Sequence, residues 1–320
     1  MNEDRLAKIV EAVLYEGHIL YPYRAASTKS RQRFTFGRVY PQAYHLAQDD
    51  GQSYTLQTEC LVHKSNAHCT IHGGVHFLQP VRRLIGQPKD EIQDWPPNAD
   101  SPPEIEFVQQ LEVDGQLYPA WQECVERRVA FENDAKAGFS TPILISFPES
   151  VAHEVLSDRH GHMAGLIVRR QEALEGLIEV TCSEVDENVS RLTVHVSNTS
   201  AIPSSLPTNE QEVLMRTFAS AHVVLHVSGG EFLSLTDPPA EYRPASHTCK
   251  NVGCWPVLVG DEAGQDRDTL LASPITLPDY PTVAAASTGT IYDGLETGAI
   301  LALRIFPWRK RKRKMQCTRG

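Results

Sequence analysis

The sequence has no apolar run of the roughly 18 residues that a membrane-spanning helix needs, so we expect no membrane span. Its start also has no basic segment followed by an apolar stretch and a small-residue cleavage site, so it does not read as a secretory signal. Seven cysteines are an odd number, which does not suit a closed disulfide framework. We therefore expect a cytoplasmic protein whose cysteines are reduced thiols or metal ligands.

Common catalytic and nucleotide-binding motifs are missing as well. The chain has no G-x-S-x-G elbow, no P-loop and no G-x-G-x-x-G after a strand. Its formal net charge is −10. Because the run RKRKRK near its end is strongly basic, the rest of the chain carries a larger negative charge than this total. An acidic surface does not favour contact with phosphates, so we expect no nucleic-acid partner.

The patterns that are present predict mainly β-structure. In residues 192–196, apolar side chains alternate with Thr193 and His195, as on a strand with one face in the core. Asp114 and Gly115 lie between two apolar runs, which predicts a tight β-hairpin. The sequence therefore predicts a β-rich α+β fold, with antiparallel sheets in a sandwich- or barrel-like arrangement and a few helices.

Composition divides the chain into four parts. Residues 1–86 contain a helix predicted over residues 4–16, followed by β-hairpins. Residues 87–104 are rich in proline and acidic residues and are predicted to form a linker or a long loop. Residues 105–306 form a β-rich region that we expect to pack with the N-terminal part as one domain. Residues 307–320 are predicted to be a basic disordered tail.

The densest group of potential metal ligands lies between residues 59 and 78. It consists of Cys60, His63, His68, Cys69, His72 and His76. The two C-x-x-H pairs have the short spacing that is typical of zinc sites. Side chains on a strand alternate between faces, so the members of each pair point apart unless a bulge intervenes. His68, His72 and His76 share one parity, and they predict either a weak Zn or Ni site or the polar face of an exposed hairpin.

A second group of ligands follows in the segment VAHEVLSDRHGHMAG. His153 and Glu154 begin like the H-E-x-x-H zinc helix, but Ser157 takes the place of the second histidine. His160 and His162 can chelate a metal across the glycine between them. The alternative is a polar turn without a bound ion.

Several blocks of the sequence form a recognisable set: EAVLYEGHILYPYRAASTKSRQRFTFGRVYP, TECLV, PAWQECVER, NVGCWPVLVG and DTLLASPITLPDYP…DGLETGAILALRI. This set resembles one uncharacterised bacterial family that is encoded beside uptake-type NiFe-hydrogenase genes. The matching blocks run from residue 10 to about residue 305. The cysteines and histidines of residues 60–76 lie outside the pattern of that family.

The resemblance implies a setting in hydrogenase assembly or accessory work, and no particular reaction. It implies hydrogenase subunits or maturation proteins as partners. Aromatic and arginine-rich surfaces are common at protein–protein contacts. On that ground the expected partner-binding residues within the blocks are Tyr21, Tyr23, Arg24, Asn251 and Trp255.

Three hypotheses about function follow. The first is an accessory or assembly factor of a hydrogenase that works by protein binding. The second is a metal-dependent hydrolase, which requires three or more histidines to converge within about 4 Å of one point. Its candidates are His68, His72, His76, His153, His160 and His162. The third is a structural scaffold module, which predicts a stable partner and no dependence on metal.

Overall fold

The computed structural model describes residues 7, 9–10, 37–48, 52–66, 68–89, 104–136, 138, 140–203 and 209–282. The strands of these residues are β1 Thr55–Lys64, β2 Thr70–Pro88, β3 Ile105–Val108, β4 Gln110–Val113, β5 Gln116–Pro119, β6 Trp121–Asp134, β7 Ser140–Phe147, β8 Ser150–Ser157, β9 Met163–Gln171, β10 Leu174–Glu184, β11 Val189–Asn198, β12 Ala219–Ser228, β13 Gly230–Leu233, β14 Trp255–Leu258 and β15 Thr269–Ser273. The helices are α1 Gln42–Ala47, α2 Glu210–Leu214 and α3 Arg243–His247, with a 3-10 turn at Ala240–Tyr242. The β-rich prediction is therefore confirmed.

One sheet has five strands in the order β13-β1-β11-β10-β7. Its strand pairs are antiparallel. Strand β11 shows the predicted alternation, since its side chains are buried on one face and half-buried on the other. Leu192, Val194 and Val196 face the core, while Thr193 and His195 face away from it.

The second sheet has eight strands and is organised around β2. Residues 70–78 of β2 pair with β12 on one edge, and residues 70–83 pair with β6 on the other. Further along, residues 82–86 pair with β9 and residues 85–88 pair with β3. Because β2 is 19 residues long, one strand can hold four neighbours in antiparallel register.

The two sheets share one hydrophobic core. Strand β1 contributes Leu56 and Cys60 to it, and β2 contributes Ile71, Val75 and Phe77. Further side chains come from both sheets, among them strands β10 and β11 of the first and β12 and β15 of the second, so the two inner faces meet as they do in sandwiches. Both sheets are open, and the barrel-like alternative of the prediction is therefore wrong.

Within residues 1–86, the expected pairing of two consecutive strands, 53–64 and 68–85, as a β-hairpin is also wrong. Strands β1 and β2 follow each other in the chain, but they lie in different sheets and do not pair. The inner side chains of both strands reach the same core from opposite sides, so the chain passes from one sheet to the other between Lys64 and Thr70. Two consecutive strands that each have one apolar face can pair within one sheet or can face each other across a core. In this chain they face each other, and the apolar side chains of both strands are buried in the shared core.

The hairpin predicted at Asp114–Gly115 is confirmed. Strands β4 and β5 pair directly, and both turn residues have positive φ, 49° and 83°. The hairpin covers the far end of the eight-stranded sheet, where Leu111 and Val113 pack in a cluster with Ile85. This cluster gives the long strand a second apolar contact beyond the shared core.

Residues 87–104 were predicted to be a linker or a long loop, and most of them lie outside the described residues. Strand β2 ends at Pro88 and pairs with Ile105 at the start of β3. The Lys89 N–H also donates to the Glu104 carbonyl at 3.2 Å. The segment thus joins two neighbouring strands of one sheet.

The N-terminal helix is described only at residues 7, 9 and 10, which are helical. Ile9 and Val10 are buried and pack in a cluster with Leu78 of β2 and Val224 of β12. These two residues of the predicted helix therefore lie on the outer face of the eight-stranded sheet. Of the helices that the described residues form, none is long and apolar enough to cross a membrane.

Candidate functional site

Four histidines form a grid on the outer face of the eight-stranded sheet. His72 and His76 of β2 lie directly opposite His226 and His222 of β12. The ring centroids of His76 and His222 are 5.2 Å apart, and those of His72 and His226 are 6.3 Å apart. We call these four residues the histidine grid. Period-two alternation creates it, because the two histidines of each strand are four residues apart and so share a face.

The two pairs of the grid differ in their surroundings. His72 and His226 are nearer to solvent, and each lies near a carboxylate. The His72 Nδ1 is 3.4 Å from the Glu132 Oε2, and the His226 Nδ1 is 3.9 Å from the Asp268 Oδ2. Each ring of this pair therefore has an acidic side chain close by on a neighbouring segment.

In the other pair, His222 is buried, His76 is half-buried, and both rings are neutral. Burial, the neighbouring His222 and then Arg128 lower the pKa of His76 to about 3. Burial lowers the pKa of His222 to about 4, although a hydrogen bond with the Ser220 carbonyl and the Glu126 carboxylate both oppose the shift. Both imidazoles are accordingly uncharged at pH 7, the form in which a histidine offers a lone pair to a ligand.

The remaining predicted metal ligands do not join this grid. Cys60 is fully buried on the inner face of β1, and burial raises the pKa of its thiol well above the usual value. His63 lies on the opposite face of the same strand, as the alternation predicted. Cys69 is buried at the end of the shared core, and burial raises the pKa of its thiol as well. His68 precedes β2 and lies in a turn, where its N–H donates to the Asn66 Oδ1 at 2.8 Å.

His160 and His162 lie in an exposed turn between β8 and β9. Their backbone N–H groups donate to the Asp158 Oδ1 at 2.8 and 2.9 Å. This contact matches the polar turn that the sequence left as the alternative. Within the described part of the chain, no three His, Cys, Asp or Glu side chains are grouped so that they could hold a metal ion. The convergence of histidines that the hydrolase hypothesis requires is therefore not found among them.

Asn251 and Trp255 belong to a segment fastened along the edge of β1. The Asn251 Oδ1 accepts hydrogen bonds from the Glu59 N–H at 2.9 Å and from the Thr58 hydroxyl at 3.1 Å. The Glu59 carboxylate in turn accepts from the Lys250 N–H at 2.8 Å. The Asn251 oxygen is thus engaged within the chain, where the sequence had suggested a contact with a partner.

Trp255 lies at the start of β14 and is open to solvent. Its side chain is 43% exposed, and that of Val252 is 45% exposed. The bridge between Gln57 and Gly253 holds the intervening backbone against β1, with Gln57 and Val252 exchanging two hydrogen bonds of 2.9 Å. An anchored backbone therefore presents two apolar side chains on its outer side. Tyr21, Tyr23 and Arg24, the other expected contact residues, lie outside the described residues.

A cavity of about 470 Å³ opens at the end of the sandwich near the turn that follows β1. Lys64 and Lys136 line it together with Glu184 and Glu187, so its charges balance. The Cys69 thiol forms part of the lining but is almost entirely buried. The cavity offers no excess charge that would select an anion or a cation.

Sequence reasoning missed His222 and His226. Both lie in the segment AHVVLHVS, which the pattern correctly marks as a strand. The available signal was that this strand repeats the four-residue histidine spacing of β2. It gave no indication that the two strands are neighbours, because strand pairing is a long-range property.

No protein-family model matches the chain, and no curated protein matches it significantly.

Proposed function

We propose that this protein is a cytoplasmic accessory or assembly factor of a NiFe hydrogenase that acts by binding a hydrogenase subunit or a maturation protein. The resemblance of its sequence blocks to a family encoded beside uptake-type hydrogenase genes motivates this proposal. The same resemblance points to protein binding rather than to a defined reaction. The exposed apolar pair Val252 and Trp255 is the observation that carries it.

The blocks that carry the resemblance are in contact with one another. Thr58 and Glu59, in the block TECLV, donate hydrogen bonds to the Asn251 side chain, in the block NVGCWPVLVG. NVGCWPVLVG meets SPITLPDYP at Leu258, whose N–H donates to the Asp279 Oδ1 at 2.8 Å. Their contacts support the view that these blocks serve one local structure.

That local structure also includes the end of the first block. A Cβ placed on Gly37 would lie 2.6 Å from the Pro274 Cγ, so the backbone there approaches the proline closely. Gly37 has a φ of +52°, which L side chains rarely adopt. Both constraints favour glycine at this contact between two blocks.

Val252 and Trp255 form the outward side of this arrangement. Single exposed apolar residues are common on protein surfaces, but tryptophan is enriched among the residues that dominate binding energy. A rigid backbone lowers the entropy that is lost when such a side chain is buried by a partner. The anchored segment therefore suits a binding surface.

The test is affinity purification of the full chain from its native host, with co-purifying proteins identified by mass spectrometry. We expect hydrogenase subunits or maturation proteins with the wild type, and at least a tenfold lower yield with Trp255→Ser, since a hot-spot residue contributes about 2 kcal/mol or more. Leu144→Ser is the matched control, because Leu144 is 79% exposed on the edge strand β7 of the other sheet. Recovery of the chain alone, or equal losses in both variants, would contradict the proposal.

A further inference from the structure

His222 has one ring nitrogen in use and one without a partner. Its side chain is fully buried. The Nδ1 lies 2.9 Å from the Ser220 carbonyl oxygen, which can only accept, so the Nδ1 carries the proton and the Nε2 carries a lone pair. Within the described residues, that buried Nε2 has no hydrogen-bond partner. Buried polar atoms are nearly always satisfied, and an orphan of this kind points to a bound group that completes it.

His76 lies opposite and supplies a second imidazole. Its ring stacks on that of His222 with the planes 24° apart. Its Nε2 would be 3.2 Å from a Cβ placed on Gly74, so the glycine leaves space for the ring to lie along the strand. His76 is partly exposed, and the pair can therefore be reached from the solvent on that side.

We propose that His76 and His222 form a two-imidazole binding site for a late first-row divalent metal ion, for which Ni²⁺ serves as the probe. Imidazole suits Zn, Cu and Ni. A histidine that binds a metal typically donates its other N–H to a carbonyl or a carboxylate, as the His222 Nδ1 donates to Ser220. Solvent completes the coordination, because no third protein ligand groups with the pair among the described residues.

Two charged residues flank the pair and set its electrostatics. Arg128 lies directly opposite His76 on β6 and disfavours a cation, whereas Glu126 acts on His222 with the opposite sign. The nearby charges therefore roughly cancel, and affinity depends on the two nitrogen ligands. This inference does not rest on the proposed binding function, since it uses a different face of the protein.

The test is equilibrium dialysis of the full, untagged and metal-stripped chain against micromolar Ni²⁺, with bound metal measured by atomic emission. We expect one equivalent in the wild type and at least a tenfold weaker Kd in His222→Gln, because even outer-shell changes cost about tenfold to a hundredfold. His226→Gln is the matched control, as it changes the neighbouring histidine on the same strand and outside the pair. Thermal melting verifies that each variant is folded.

If His222→Gln does not fold, His76→Gln replaces it, because His76 is partly exposed and its loss disturbs the core less. The inference is overturned if binding of Ni²⁺ to the wild type does not saturate at one equivalent. It is also overturned if His226→Gln loses as much affinity as the variant of the pair. Either result would mean that the His222 Nε2 lacks a partner only because of how the ring packs, and that it binds no metal ion.

Discussion

Gly73 and Phe131 allow a sharp test of the core of the eight-stranded sheet. The two residues are directly opposite each other on β2 and β6, on the inner face. A Cβ on Gly73 would lie 2.1 Å from the Phe131 Cζ and 2.3 Å from its Cε2, far inside van der Waals contact. The phenyl ring therefore occupies the space that a side chain at position 73 would need. Gly73→Ala must displace the ring or the strand.

The expected size of the effect follows from packing. An extra methyl group in a well-packed core costs about 1–3 kcal/mol. Phe131→Ala alone should cost about 3–5 kcal/mol, because the ring is 92% buried, being 8% exposed. Once the ring is gone, Gly73→Ala should cost nothing or should stabilise by about 0.5–1 kcal/mol, since alanine has less backbone entropy to lose than glycine. We therefore expect a coupling energy of about 1–4 kcal/mol between the two sites.

The assay is urea unfolding of the wild type, both single variants and the double variant, followed by fluorescence and circular dichroism. Gly74→Ala is the matched control, because Gly74 is the next residue, faces outward, and meets only the ends of the His76 and Arg128 side chains. We expect a change of about 0.5 kcal/mol or less for it. Equal destabilisation by Gly73→Ala with and without the Phe131 ring would refute the reasoning.

Further predictions concern other parts of the chain. Asn251→Ala removes the acceptor of the Glu59 N–H and should lower the free energy of unfolding by about 1–3 kcal/mol, whereas exposed Asn188→Ala should change it by about 0.5 kcal/mol or less in the same urea assay. Because the pKa values of His76 and His222 fall to about 3 and about 4 on folding, the unfolded chain binds more protons than the folded one below pH 6.5. Their contribution to stability is complete above that pH and is lost as the pH falls toward 4, by up to about 1.4 kcal/mol per pH unit for each histidine. In His222→Gln, the free energy of unfolding should therefore change less steeply with pH. An unchanged slope would contradict the lowered pKa of His222. Gly115→Ala should cost about 1 kcal/mol by thermal melting, since its φ of +83° disfavours an L side chain although the space around it is open.

The sequence predicted local features well. The alternation in residues 192–196 and the Asp114–Gly115 turn depend on neighbours within a few positions, and both agree with the structure. The divergence of Cys60 and His63 followed from strand periodicity in the same way. Such features are encoded in the spacing of side chains and the φ preferences of turn residues.

Strand partners could not be predicted in this way. A period of two shows which face of β2 is apolar, but it does not show whether β1 pairs with β2 or opposes it across the core. The grid illustrates the consequence, because His222 reaches His76 only through a pairing between residues 146 positions apart, numbers 76 and 222. The absence of a partner for the His222 Nε2 could not be predicted from the sequence either, because it depends on burial by several elements.

The long central strand also bears on how the chain is made. Strand β2 leaves the ribosome early, yet its partners β6, β9 and β12 follow at residues 121, 163 and 219. Until β12 has been synthesised, residues 70–78 of β2 can pair on one side only, with β6. Sheets built from such distant pairings fold slowly and expose unpaired edges meanwhile. A chaperone that shields this extended strand, with its apolar Ile71, Val75 and Phe77, is therefore expected to raise the yield of the folded protein.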